Sequence, residues 1–141
     1  MHKILVVDDE RPTVLQNFLS NMGFDVAVVS GGEKAIQVLD SGIRPDLLVL
    51  DMQMPEVGGT EVLEHMHCMH CDIPTIVLAS STEAQDYFRD LQELGLGPQN
   101  IVFKPVDLTI LLETVKVTLE MPAPDIQPEE GITDAKDYFD N

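Results

Sequence analysis

The sequence predicts an α/β fold in which five short strands alternate with five helices around one parallel sheet. Three observations predict it. First, Ile4-Leu5-Val6-Val7, Leu47-Leu48-Val49-Leu50 and Thr75-Ile76-Val77-Leu78-Ala79 are apolar runs without polar alternation, the pattern of strands buried on both faces. Second, segments with apolar residues at helical spacing separate the successive strand runs, as a parallel sheet with crossover helices on both faces requires. Third, the 141 residues suffice for one domain with a full core, and no repeat of solenoid period is present.

The elements follow in order. Ile4-Leu5-Val6-Val7 ends in Asp8-Asp9-Glu10, three acids that repel one another unless solvent or a cation separates them. Pro12 opens a helix at the position where its missing N–H costs nothing; Val14, Leu15, Phe18, Leu19 and Met22 give it an apolar face, and Gly23 stops it. Residues 25–29 read as the second strand. Gly31-Gly32 leads into a short helix carrying Ala35, Ile36 and Leu39, which ends at Gly42. Pro45 feeds the third strand, which ends in Asp51; Pro55 then rules out further pairing. Beyond Gly58-Gly59 a helix carries Val62, Leu63, Met66 and Met69 up to Ile73-Pro74. After the fourth strand, Thr82 and Gln85 have capping-box spacing for a helix bearing Ala84, Tyr87, Phe88, Leu91 and Leu94 and closing at Gly95. Residues 100–103 form the last strand, Lys104-Pro105 follows, and Asp107 caps a helix bearing Leu108, Leu111, Leu112, Val115 and Leu119. Residues 1–120 are thus one domain. Residues 121–141, with Pro122, Pro124, Pro128 and a single base, Lys136, read as a flexible acidic tail.

Composition excludes several functions. The net charge is −17, from 25 acids against eight bases, which argues against nucleic-acid binding because phosphate contacts need Lys and Arg. It leaves protein partners, or cations held by carboxylates. No apolar run approaches the ~20 residues that span a membrane, and Met1-His2-Lys3 leads straight into a strand, so a soluble cytoplasmic protein is expected. Cys68 and Cys71 are too few and too close for a disulfide framework.

In a doubly wound sheet of order 2-1-3-4-5, the flavodoxin-like order, the first and third strands are neighbours. Asp8, Asp9 and Asp51 then share one rim, with Lys104 arriving from the last strand. Clustered carboxylates suit Mg²⁺, and a carboxylate beside Mg²⁺ and an ammonium group can attack phosphorus in line.

At these residues the chain resembles the response-regulator receiver domains of two-component signalling. The resemblance covers residues 2–120 and rests on Val6-Val7-Asp8-Asp9-Glu10, on Asp51-Met52-Gln53-Met54-Pro55 with Gly59, and on Lys104-Pro105. It implies that Asp51 accepts a phosphoryl group from a sensor histidine kinase or phosphotransfer protein. It further implies Mg²⁺ ligated by Asp9 directly, by Asp8 mainly through water, by Asp51, and by the backbone carbonyl of Gln53. Lys104 would contact the phosphoryl oxygens, with a cis bond to Pro105. The output would pass to a downstream target protein, through the face built from residues 82–119 or through the tail, and a homodimer stays open. No turnover enzyme is implied. A Mg²⁺-dependent phosphatase using an aspartyl phosphate would want an Asp where Gln53 stands.

Two positions depart from the family pattern. The Thr or Ser expected five residues after the proline that precedes the fourth strand is Ala79, and the aromatic expected three residues before the lysine is Ile101. Either Ser80 substitutes through a bulge or the output is conveyed differently; strand alternation, which points Ser80 away from the side Ala79 faces, favours the second. A phosphorylation-insensitive scaffold and the receiver part of a longer response regulator are the alternative readings. Finally, His65-Met66-His67-Cys68-Met69-His70-Cys71 places His67 with Cys71 and Cys68 with Cys71 on shared helix faces, a spacing open to Zn²⁺ or Cu(I). No second ligand cluster accompanies it, and a helix end with incidental thiols is the simpler expectation.

Overall fold

A computed structural model describes residues 1–10 and 12–120. The expected acidic segment 121–141 lies outside the described residues. Five strands form one sheet: β1 (Lys3–Val7), β2 (Asp25–Val29), β3 (Leu47–Asp51), β4 (Thr75–Ala79) and β5 (Ile101–Phe103). All pairings are parallel and the order is β2-β1-β3-β4-β5, as the sequence predicts. Around it stand α1 (Pro12–Asn21), α2 (Gly32–Asp40), α3 (Gly59–Cys68), α4 (Ser81–Asp86), α5 (Phe88–Glu93) and α6 (Leu108–Glu120).

Strand alternation divides the core into two layers. Leu5, Val7, Leu48, Leu50, Val77 and Ala79 face Ala35 and Leu39 of α2, Val62, Leu63 and Met66 of α3, and Leu91 of α5. Ile4, Val6, Leu47, Val49, Ile76 and Leu78 face Leu15 and Leu19 of α1 and Leu111 and Val115 of α6. β3 and β4 are buried along their whole length, which is why their sequences show no alternation. Each fully buried Leu or Ile contributes roughly 1.5–3 kcal/mol of transfer free energy, and the central strands concentrate that gain directly beneath Asp51.

Several local expectations need correction. Val14 and Met22, placed on the apolar face of α1, are about half exposed; Leu15 and Leu19 alone are buried there, so the stripe is narrower than the residue types suggest. The single helix expected after β4 is two short ones, broken at Tyr87, whose φ of −107° and ψ of 10° leave the helical region. Tyr87 and Phe88, expected inward, are exposed, and α4 buries no residue. Its capping box is Ser80 with Glu83, an earlier register than Thr82 with Gln85. A 3₁₀ turn at Pro98–Asn100 shortens β5 by one residue.

The Cys–His stretch is also corrected. α3 stops at Cys68 because His70 takes φ +55°, the left-handed conformation that ends a helix. The His70 N–H then donates to His67 O at 3.1 Å and the Cys71 N–H to Met66 O at 2.8 Å. Cys71 therefore lies off the helix, and neither His67 nor Cys68 shares a helical face with it. Met66 and Cys71 are buried, whereas Met69, expected in the core, is exposed.

Candidate functional site

The sheet brings the strand-end residues together because β1 and β3 pair in register, Val7 with Leu50. Asp8 follows the last residue of β1 and Asp51 is the last of β3, at the rim where an open α/β sheet reverses its strand order. Asp8, Asp9 and Asp51 each present a carboxylate oxygen within 4.8 Å of the others. Among the described residues this is the only such cluster of His, Cys, Asp and Glu, so the Cys–His stretch forms none. Asp8 Oδ1 accepts the Glu10 N–H at 2.9 Å and Asp51 Oδ1 the Gln53 N–H at 3.0 Å. Each is an Asx turn that bends the chain away from the sheet.

Lys104 arrives from β5. Its own N–H donates to Ala79 O at 2.9 Å, and its Nζ donates to Asp51 Oδ1 at 2.6 Å. Asp51 is 1% exposed. Burial pushes its carboxyl above the ordinary value of 3.8; the Lys104 ammonium and the Gln53 N–H draw it back in part, and the charge of Asp8 adds to the rise. For Lys104 burial acts downward, but the hydrogen bond and charge of Asp51, with Glu83 and Glu10 beyond, leave it raised above 10.5. A cleft of ≈ 580 Å³ opens at the pair, lined by the charged Asp8, Glu10, Asp51 and Lys104 and by apolar residues including Val14 and Val106. The Lys104–Pro105 bond is cis.

The donor set fits a hard divalent cation. It consists of the three carboxylates of Asp8, Asp9 and Asp51. Asp9 Oδ1 supplies the specific test: it is buried and has no hydrogen-bond partner among the described residues. A buried carboxylate oxygen left so is costly unless a cation satisfies it.

Ser80 is not set in a bulge. β4 ends at Ala79, which is fully buried, and the Ser80 Oγ accepts the Glu83 N–H at 3.1 Å. Ile101 is half-buried against the α2–α3 layer. Glu83 and the packing of two glycines were not read as contributors from sequence, although Gly59 was read as part of the family motif. Glu83 acts on Lys104, and its signal was the Ser80-x-x-Glu83 spacing, masked by the competing Thr82–Gln85 register. Gly59 and Gly32 press backbone against the β3–α3 loop, where an added Cβ would lie 2.8 Å from Asp51 O and 2.3 Å from Val57 O respectively.

Residues 4–116 match the family model of the response regulator receiver domain. Response regulator SaeR of Staphylococcus epidermidis is 35% identical over 107 residues, covering 74% of this chain and 44% of that protein. SaeR of Staphylococcus aureus is 36% identical over 107 residues, covering 74% and 45%. The chain thus spans less than half the length of these curated relatives. Among solved structures, the receiver domain of the Francisella response regulator 1452 is similar in fold, with a TM-score of 0.74 at 21% identity, covering 85% of this chain and 98% of that one.

Proposed function

The chain belongs to the response regulator receiver family of two-component signalling, and from that premise we propose that it is a Mg²⁺-dependent phosphoacceptor whose Asp51 takes a phosphoryl group from a histidine kinase or phosphotransfer protein. The observation that carries this reading is the convergence of Asp8, Asp9 and Asp51 at one rim, with Lys104 Nζ 2.6 Å from Asp51.

Among the described residues, the hydrogen bonds from Gln53 N–H and Lys104 Nζ to the Asp51 carboxylate both fall on Oδ1, which fixes the rotamer and leaves Oδ2 as the nucleophile. Oδ2 attacks phosphorus in line; the new P–O bond forms as the P–N bond to the donor imidazole breaks, and the imidazole nitrogen keeps the electron pair. Lys104 shifts from Oδ1 to an equatorial phosphoryl oxygen and offsets its charge. Asp8, Asp9, Asp51 and the Gln53 carbonyl are the residues that would hold Mg²⁺, which when bound neutralises charge between the carboxylates and the phosphoryl oxygens. The cleft over the pair admits the donor, and protein contact carries the output to a target in the cytoplasm. Residues 1–120 constitute this receiver unit, and the proposed role is a switch rather than a turnover enzyme.

Ala79 and Ile101 favour a second reading, a scaffold of the same fold whose partner affinity ignores the state of Asp51. Intact mass after incubation with acetyl phosphate and Mg²⁺, beside an Asp51→Asn control, tests the first. A Mg²⁺-dependent gain of one phosphoryl group, absent from the control, is the expected result; no gain in folded protein leaves the scaffold.

A further inference from the structure

The peptide unit joining Ala79 to Ser80 stands at the end of β4 with its two polar groups committed in opposite directions. Its carbonyl accepts the Lys104 N–H at 2.9 Å, on the β5 side. In a trans peptide the N–H points the other way, towards β3. One residue earlier the ladder to β3 is intact, the Met52 N–H donating to Leu78 O at 3.0 Å. It goes no further, because Met52 O is taken by the Gly59 N–H at 3.2 Å. The Ser80 N–H is thereby released from the sheet beside the end of β3, where Asp51 stands. Its acceptor is a side chain, Glu83 Oε1 at 2.9 Å.

Glu83 therefore places an anion near the site. It lines a cleft together with Met52 and Gln53, the two residues after Asp51, and its charge reaches Lys104. A phosphoryl group on Asp51 would compete with that carboxylate for the same donor and the same ammonium, and would repel it. Beyond this cap the segment has backbone bonds of its own, Ala84 N–H to Ser80 O at 2.9 Å and Tyr87 N–H to Glu83 O at 3.0 Å, but α4 has six residues and none is buried, so no buried side chain anchors it.

We propose that Glu83 is the anion a phosphoryl group on Asp51 replaces: its carboxylate holds the Ser80 N–H in the unmodified protein, and modification displaces it, opening the Ser80–Glu83 capping box and releasing α4. This rests on the phosphoacceptor reading of Asp51 and supplies the output step that Ala79 and Ile101 cannot. It makes Glu83 a positioning residue that holds the donor back until the phosphoryl group arrives.

The test is a time course of phosphorylation by acetyl phosphate with Mg²⁺, followed by intact mass, on wild type, Glu83→Gln, Glu83→Ala and Ser80→Ala. Hydrogen exchange across residues 80–86 is measured in each before and after modification. Removing the competitor is expected to speed phosphorylation about fivefold in Glu83→Ala, the worth of one hydrogen bond, and less in Glu83→Gln, which keeps an acceptor without the charge. Ser80→Ala removes the hydroxyl half of the cap while keeping the competing carboxylate on the residue-80 N–H, so its rate stays below that of Glu83→Ala. Phosphorylation deprotects residues 80–86 in wild type and adds nothing in Glu83→Ala. Equal rates across wild type and both Glu83 variants, or a Ser80→Ala rate that matches Glu83→Ala, overturn the role of Glu83 while leaving Asp51 as acceptor. A wild type that takes no phosphoryl group removes the Asp51 reading and this one with it.

Discussion

Lys104 Nζ lies 2.6 Å from Asp51 Oδ1, yet the Asp51 carboxyl is raised from its ordinary value of 3.8, because burial, with the charge of Asp8, outweighs the ammonium and the Gln53 N–H. The folded protein therefore favours the protonated acid more than the unfolded chain does. Between the ordinary value of 3.8 and the raised one, the native state binds more protons, so stability falls as pH rises through that window. Lys104, raised above 10.5, adds stability that is whole at neutral pH and is lost as pH climbs through its folded value.

Asp51→Asn keeps the shape and removes the buried charge. Without divalent cations its stability is expected to match wild type near pH 3 and to exceed it at pH 7, by about 1 kcal/mol as single-site changes go. Thermal melts in EDTA across pH 3–8, within the two-state regime, measure the gap. A gap that closes as pH rises would contradict the electrostatics of the site.

Asp9 Oδ1, buried without a partner among the described residues, makes the free protein pay a desolvation cost that a cation would recover. Mg²⁺ at about 100 times its Kd should stabilise wild type by ~2.7 kcal/mol. In Asp9→Asn that gain is expected to shrink to a small fraction, while the cation-free protein melts no lower than wild type. Melts with and without Mg²⁺ give both numbers.

His70 occupies the left-handed position that ends α3, at φ +55°, where glycine has no steric cost. His70→Gly is expected to stabilise the fold by roughly 0.5–1 kcal/mol, read as an upward shift of the denaturation midpoint at unchanged slope. A loss of stability would mean that the His70 ring makes contacts that outweigh the backbone cost.

What was legible in the sequence divides by mechanism. The strands were readable because β3 and β4 are buried on both faces, and a run such as Leu47-Leu48-Val49-Leu50 is hard to place anywhere but inside a sheet. Asp8, Asp9, Asp51 and Lys104 were readable as one group because each follows or ends such a run, and strand order then places them at one rim. The helices were less so. Periodicity assigns Tyr87 and Phe88 to a buried face, but they flank a break between α4 and α5 and are exposed. Two capping registers fit the residues after β4 equally well, and tertiary placement of Ser80 chose between them. Residue type also cannot show that His70 turns left-handed, and that turn is what removes Cys71 from the helix. Contacts of backbone on glycine leave no trace in hydropathy at all.

Gly32 shows such a contact most sharply. It is buried at the start of α2, and a Cβ there would lie 2.3 Å from Val57 O and 2.8 Å from Val57 Cγ1. The first of these is backbone and cannot rotate away, so Gly32→Ala must push the β3–α3 loop outward. That loop begins at Met52 and carries the Gln53 carbonyl, proposed as a cation ligand. Overpacking of this kind costs about 1–3 kcal/mol, and here the displacement is also expected to weaken Mg²⁺ binding, because ligand oxygens tolerate little error in position. Val57→Ala removes only the Cγ1 clash, so in the double variant part of the stability should return while the Mg²⁺-dependent Tm shift stays reduced. Recovery of both together would place the effect in side-chain crowding, and an undiminished Mg²⁺ shift in Gly32→Ala alone would show that the loop holds its carbonyl without support from α2.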